Sequence, residues 1–130
     1  MNKLHISFLI LILILIHFSC EKDDSSTVKT LSGTWDFLII MQVKDSLKMT
    51  LTLVQNDNDT LSGNIYHNNK ERILLPTSKI NDESVEIDCL WDDPSILTFT
   101  GKINSRFDYM NGTYTSNLDY IPDTWSANKK

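Results

Sequence analysis

Apolar and polar residues alternate at every second position from residue 31 onward, and clusters of Asn, Asp, Gly and Ser interrupt the alternation about every ten residues. This pattern is typical of antiparallel β-strands that bury one face and expose the other. The clearest example is the segment 47–53, in which Leu and Met alternate with Lys and Thr. No window of helical length shows the three-four apolar spacing. The sequence therefore predicts an all-β fold.

The interruptions divide the chain into eight predicted strands. Pro76 lies inside the fourth and predicts a bulge, bend or break there, because proline has no backbone N–H to donate. Residues 126–130 are expected to fray. The predicted strands are 34–42, 47–53, 60–67, 70–80, 84–91, 95–104, 107–115 and 120–127.

Eight sequential strands joined by short turns have two exposed edges unless the first strand pairs with the last. We therefore predict a single antiparallel up-and-down eight-stranded β-barrel, with an open sandwich of two sheets as the alternative. A barrel of eight strands encloses room for its own side chains or for one small ligand.

The N-terminal residues have a different character. Lys3 precedes an almost wholly apolar run, residues 6–16, which is the anatomy of an export signal. A bilayer-spanning helix needs roughly 20 apolar residues, so this run is too short to be a permanent anchor.

Ser19-Cys20 at the end of that run resembles the lipobox of bacterial lipoproteins, and the acidic residues 21–24 resemble the export tag of Bacteroidetes-type lipoproteins. The resemblance implies a signal peptide (1–19), a lipidated Cys20 with a flexible tether (20–30) and a folded domain (31–128). It further implies an outer-membrane protein held by its acyl chains and displayed on the cell surface. The alternative is an ordinary cleaved leader with a free cysteine and a solvated linker.

The charge and the cysteines narrow the function classes. The chain has 12 Lys and Arg against 17 Asp and Glu, a formal net charge of −5, and no basic cluster, so nucleic acid is not an expected partner. Once Cys20 carries lipid, Cys89 is the remaining thiol and has no cysteine to pair with. Its alternation with Val85 and Ile87 predicts an inert, buried thiol.

Candidate catalytic and metal-binding residues are few. His67 borders a turn, and together with Cys89 it supplies too few ligands for zinc. Glu86 and Asp88 fall on the predicted outer face, where a pair of catalytic carboxylates is not expected. We predict no enzyme activity, cofactor or metal. Four further acidic residues are interpreted as turn formers: Asp57, Asp59, Asp92 and Asp93.

Several short segments resemble a known family. Gly33-Thr34-Trp35 is similar to the Gly-x-Trp start of lipocalins and avidin-like barrels, and the spacing of residues 61–66, 98–101, 111–114 and 123–127 resembles small lipocalin-like lipoprotein domains. The resemblance implies a lipocalin-like barrel, with an avidin-like barrel as the alternative. Lipocalins commonly cover the first-strand Trp with an Arg from the last strand, whereas this chain ends in Lys129 and Lys130.

The predicted inward positions are rich in aromatic residues, which gives two readings: the side chains fill the barrel, or some of them line a cavity for a small apolar or amphipathic ligand. We predict a non-catalytic ligand-binding lipoprotein. The alternative is a ligand-free protein-interaction or inhibitor-like module, suggested by apolar outer positions Leu38, Ile40, Val54 and Leu90. Ser46 and Thr60 match a short O-glycosylation acceptor pattern. The cavity candidates are Trp35, Phe37, Met49, Trp91, Phe99, Tyr114 and Trp125.

Overall fold

The computed structural model describes residues 29–41, 45–118 and 123–130. The predicted leader, Cys20 and most of the tether lie outside these ranges. The described residues contain no helix long and apolar enough to cross a membrane. Their regular structure consists of nine strands: β1 (Gly33–Ile40), β2 (Ser46–Gln55), β3 (Leu61–His67), β4 (Lys70–Ile73), β5 (Lys79–Asn81), β6 (Ser84–Asp92), β7 (Ser95–Ile103), β8 (Tyr109–Ser116) and β9 (Asp123–Lys129).

The nine strands form one antiparallel sheet in the order β4-β3-β2-β1-β9-β8-β7-β6-β5. Strands that follow one another in the chain are neighbours, apart from β4 and β5, and β1 pairs with β9 through residues such as Phe37 and Ala127. The all-β, up-and-down prediction is confirmed, including the pairing of the first strand with the last. A sandwich of two separate sheets is not what forms.

The predicted fourth strand is divided in two, β4 and β5, on either side of Pro76. β4 pairs with β3 and β5 pairs with β6, and two isolated bridges, Leu74 with Cys89 and Thr60 with Lys79, join the two sides across the break. The curled sheet is therefore closed by one kinked segment, residues 70–81, which we call the seam. The count of nine strands rather than eight has its cause in the break at this proline.

The side chains that point inward and outward along the strands follow the predicted alternation. In β2 the burial alternates regularly, with Met49, Leu51 and Leu53 buried, and in β1 Trp35, Phe37 and Ile39 are buried. The core is a single cluster of apolar side chains that fills the space enclosed by the sheet. Register is well defined because a shift by one residue would turn every one of these side chains to the outside.

One end of the barrel is covered by the residues that flank it. Trp35 donates its indole N–H to the Leu31 carbonyl oxygen at 3.0 Å, and the Lys129 ammonium lies 5.5 Å from the Trp35 ring and donates to the Thr30 carbonyl oxygen at 2.8 Å. A lysine of the last strand therefore lies over the first-strand Trp. We call this the covered end.

The prediction that residues 126–130 fray is wrong. β9 continues to Lys129, which pairs with Trp35 and donates its backbone N–H to the Asp108 carbonyl oxygen at 2.9 Å. Lys130 donates to Thr34 in the same way. The polar sequence of this tail concealed a strand that is held on both sides by β1 and β8.

A candidate ligand cavity at the open end

The strand termini that lie opposite the covered end surround a small cavity of about 260 Å³. The register places the end of β8 beside the start of β9 and beside the start of β7, so these termini meet at one rim. The walls are mainly apolar, with hydroxyl and carboxylate groups at one side. The lining residues are Ile39, Met41, Leu47, Trp91, Leu97, Tyr114, Ser116 and Asp123.

The seven cavity candidates separate into two groups. Trp91 and Tyr114 line the cavity. The other five are buried in the core beneath it, and they are Trp35, Phe37, Met49, Phe99 and Trp125. Sequence alternation identifies the inward face of a strand, but it carries no information about depth along the barrel, which separates filling residues from lining residues.

The floor of the cavity is a packed aromatic cluster. Phe37 meets Phe99 edge to face at 5.0 Å between ring centroids and lies 5.3 Å from Trp125, while Phe99 lies 5.4 Å from Tyr114. Such contacts add to the stabilisation from burial alone. The floor is therefore built from rings that hold one another in place.

Trp125 is fixed further by the main chain of two neighbouring strands. Its indole N–H lies 3.0 Å from the Thr113 carbonyl oxygen and 3.2 Å from that of Thr100. The indole occupies the space above Gly101, where an added Cβ would lie 2.7 Å from the ring. The glycine is needed for this close approach, and these contacts fix Trp125 in the barrel interior.

Tyr114 forms the polar side of the cavity. Its hydroxyl donates to Asp123 Oδ2 at 3.1 Å. Burial, together with this carboxylate, raises the pKa of Tyr114 to about 12. The phenol is therefore protonated at neutral pH and presents a fixed dipole at the cavity wall.

Trp91, on β6 and two strands from Tyr114 in the sheet order, stands at an irregularity in the sheet. The β6–β7 register shifts between Leu90 and Asp92, which leaves Trp91 without an opposite residue. Irregularities of this kind are common at barrel rims and reorient a side chain. Here the side chain that is reoriented is the largest one in the cavity wall.

Arg72 lies directly behind Trp91, and sequence analysis did not identify it as a site residue. Its guanidinium carbon is 3.9 Å from the Trp91 ring centroid, and its Nε donates to the Trp91 carbonyl oxygen at 2.9 Å. The side chain is only 9% exposed. The available signal was the alternation of Arg72 with Leu74 in the predicted fourth strand, which places both on the inward face.

His67 and Cys89 are placed near this group. The His67 ring stacks on Trp91 at 6.1 Å between centroids, and its Nδ1 lies 3.3 Å from the Lys48 carbonyl oxygen. Cys89 is a buried free thiol, and burial raises its pKa to about 11. The thiol is protonated at neutral pH, which agrees with its predicted inert character.

The acidic residues of β6 are occupied by structural contacts. Glu86 forms an ion pair with Lys79 at 3.2 Å. Asp88 is buried, although it belongs to the outer face, because the seam folds over it. Its carboxylate accepts from the Thr77 hydroxyl and from the Thr98 hydroxyl at 2.7 Å. No group of three or more His, Cys, Asp or Glu that could hold a metal occurs in residues 29–41, 45–118 and 123–130.

Two outer surfaces compete with the cavity as candidate sites. A groove of about 620 Å³ crosses the outside of β6, β7 and β8 over the main chain of Gly101 and Gly112, and it faces solvent. The exposed apolar residues on the outside include Ile40, Val54, Ile73 and Leu90, while Leu38 is half-buried. The cavity differs from both in lying at one end of the barrel, where residues of β1, β2, β6, β7, β8 and β9 line it.

Comparisons with known proteins do not assign a function to the chain, so the choice of a candidate site depends on the geometry described above. Neither protein-family models nor characterised proteins give a match to the chain. We therefore take the open-end cavity, which Trp91 and Tyr114 both line, as the candidate site in the part of the chain that the structure describes.

Proposed function

We propose that the protein is a non-catalytic binding protein that holds a small apolar or amphipathic molecule in the open-end cavity. The observation that carries the proposal is a cavity of about 260 Å³ with an apolar floor and wall and a one-sided polar rim. An apolar part of a ligand would gain from leaving water, and the Tyr114 and Ser116 hydroxyls would orient a polar part.

The cavity volume provides a direct test with a matched control. The purified full-length chain would be titrated with N-phenylnaphthylamine, an uncharged dye that fluoresces in apolar surroundings. Ser116→Phe places a ring in the cavity, and we expect it to weaken dye binding by at least about tenfold, or about 1.4 kcal/mol. Ser126→Phe makes the same substitution outside, where Ser126 borders an outer groove with Leu38 and Lys48, and should leave binding unchanged.

An equal affinity of both variants and the wild-type chain would contradict the proposal, because the dye would then bind elsewhere. Organic extraction of the purified protein, followed by mass spectrometry, would identify a molecule that copurifies with it. A stoichiometric extracted molecule that is absent from Ser116→Phe would support a carrier role.

A second candidate function is a protein-interaction module. Ile73 is 70% exposed and Leu90 is 44% exposed, and the bridge between Leu74 and Cys89 places them opposite one another across the seam. Exposed apolar pairs of this kind occur at interfaces. If the pair is an interface between copies, Ile73→Lys and Leu90→Lys should abolish self-association in sedimentation velocity; a monomeric wild-type chain would contradict it.

The proposal for cellular location depends on the N-terminal sequence alone. Ser19-Cys20 and the acidic residues that follow support lipidation of Cys20, and attachment to the outer membrane with display on the cell surface. Metabolic labelling with an alkyne-tagged palmitate should mark the wild-type chain and not Cys20→Ser. Labelling of both would place the lipid elsewhere, and protease treatment of intact cells would test surface display.

A further inference from the structure

Arg72 combines a full positive charge with deep burial, a combination that normally requires a partner. Its nearest carboxylate is Asp92, whose Oδ1 lies 3.7 Å from Nη2 and whose side chain is 68% exposed. Among the described residues, no acceptor lies within hydrogen-bond distance of the buried Nη1. The guanidinium therefore keeps donor capacity that the described part of the chain does not use.

The fold aims this charge toward the open end of the barrel. The bridge between Leu74 and Cys89 sets Arg72 opposite Trp91 across the seam, and both positions belong to the inward face. Arg72 makes one fixed contact there, the Nε donation to the Trp91 carbonyl oxygen. The rest of the planar guanidinium group lies against the Trp91 ring.

Trp91 thus separates the charge from the cavity. One part of its side chain lines the cavity, while the ring covers the guanidinium. Trp91 stands at a register shift and is only partly buried. In addition, rotation of its indole breaks no side-chain hydrogen bond found among the described residues. Such a rotation would give up the contacts of the ring with Arg72 and His67 and would uncover the guanidinium face that the indole covers.

We propose that Arg72 is the anchor for the carboxylate of an amphipathic ligand whose apolar part occupies the open-end cavity, with Trp91 as the side chain that turns aside. This inference rests on the proposed function, because it names the ligand class for the same cavity. A carboxylate matches the two N–H directions of a guanidinium edge. The carboxylates of Asp92, which is 3.7 Å from Nη2, and of Asp123 in the cavity wall oppose every anion, and they oppose one of higher charge more strongly.

A series of ligands with one chain length and different head groups tests the inference on the wild-type full-length chain. Octanoate, octanol and octylammonium would be titrated by calorimetry and by Trp fluorescence. We expect octanoate to bind at least about tenfold more tightly than octanol, since hydrogen bonds to charged groups are the stronger class. Octylammonium should bind more weakly than octanol.

The outcomes separate this inference from the proposed function. Equal binding of octanoate and octanol would overturn the anchor and leave the cavity in place as an apolar site. Failure of all three ligands to bind would overturn the proposed function and the anchor together. Octanoate preference that persists in a chain without the Arg72 charge would assign the preference to another group.

Whether the octanoate preference depends on the charge of Arg72 is tested with Arg72→Gln and its control Arg106→Gln. Arg106 is 78% exposed and pairs with Asp108 at 3.1 Å, so the control removes the same charge outside the cavity. Arg72→Gln should lower octanoate affinity to that of octanol, whereas Arg106→Gln should leave the octanoate preference unchanged. If Arg72→Gln does not fold, Arg72→Lys keeps a charge without the planar fork and should reduce the preference severalfold.

Discussion

Single side chains at the open end show how a polar group is held in an apolar wall. The Tyr114 hydroxyl is oriented by Asp123, and its ring packs on Phe99. The group is therefore fixed in position, and its ionisation is opposed by burial first and by the neighbouring carboxylate second. Both effects favour the protonated phenol in the native state.

This preference predicts a pH dependence of stability. The pKa of Tyr114 is raised from 10.0 to about 12, so between these values the native state keeps a proton that the unfolded state releases. Stability is then fully present below pH 10 and falls as the pH rises toward 12. Urea denaturation across this range should show a shallower decline for Tyr114→Phe than for the wild-type chain.

The exposed Tyr109 supplies the control, because it is removed from the cavity. Tyr109→Phe should decline with pH as the wild-type chain does. Parallel curves for Tyr114→Phe and the wild-type chain would contradict the linkage.

The local sequence around Arg72 explains why the pattern did not identify this residue as part of a site. A lone arginine in a weak strand beside a proline has the pattern of a solvated side chain. Its burial arises from the approach of β6 across the seam, which places Trp91 over it. Sequence distance hides this contact, because the two residues belong to strands that come together only when the sheet curls.

At the scale of elements, β9 is the strand whose extent depends most on its neighbours. Its last residues are polar, yet Lys129 pairs with Trp35 on β1 and its ammonium lies over the Trp35 ring. The strand is therefore stabilised by contacts from both sides rather than by its own propensity. The same contacts close the covered end of the barrel.

Substitutions of Lys129 and Lys130 should distinguish the stabilisation by the contacts of Lys129 from the effect of removing one positive charge. Lys129→Ala removes the contact with the ring and the hydrogen bond to Thr30, and we expect a loss of about 1–2 kcal/mol in the free energy of unfolding. Lys130→Ala removes a surface ion pair with Asp36 and should cost at most about 0.5 kcal/mol. Equal losses in urea denaturation would show that Lys129 acts only through its charge.

For the whole molecule, the important feature is how the barrel closes. The ladders from β1 to its neighbours β2 and β9 are continuous, whereas the two sides of the seam are joined by two isolated bridges and by single backbone bonds such as Leu75 N–H to the Asp88 carbonyl oxygen at 2.7 Å. The buried Asp88 carboxylate adds side-chain bonds from Thr77 and Thr98. The seam is nonetheless the least hydrogen-bonded junction in the described sheet.

Native-state hydrogen exchange should reflect this difference. Backbone amides that close the seam, those of Leu61 and Leu75, should exchange faster than the amides of the continuous β1–β2 and β1–β9 ladders, because local opening needs fewer bonds to break. Asp88→Asn should accelerate exchange at the seam selectively. Uniform protection around the barrel would show that the seam opens only with global unfolding.

The sequence by itself determined the strand content, the inward face of each strand, the break at Pro76 and the pairing of the first strand with the last. It did so because alternation and turn residues are local properties that a pleated, half-buried strand requires. The tertiary structure alone decided which aromatic residues fill the barrel and which line the cavity, how far β9 extends, and that Arg72 is buried behind Trp91. Those outcomes depend on depth along the barrel and on contacts across the seam, which bring together residues that no local pattern connects.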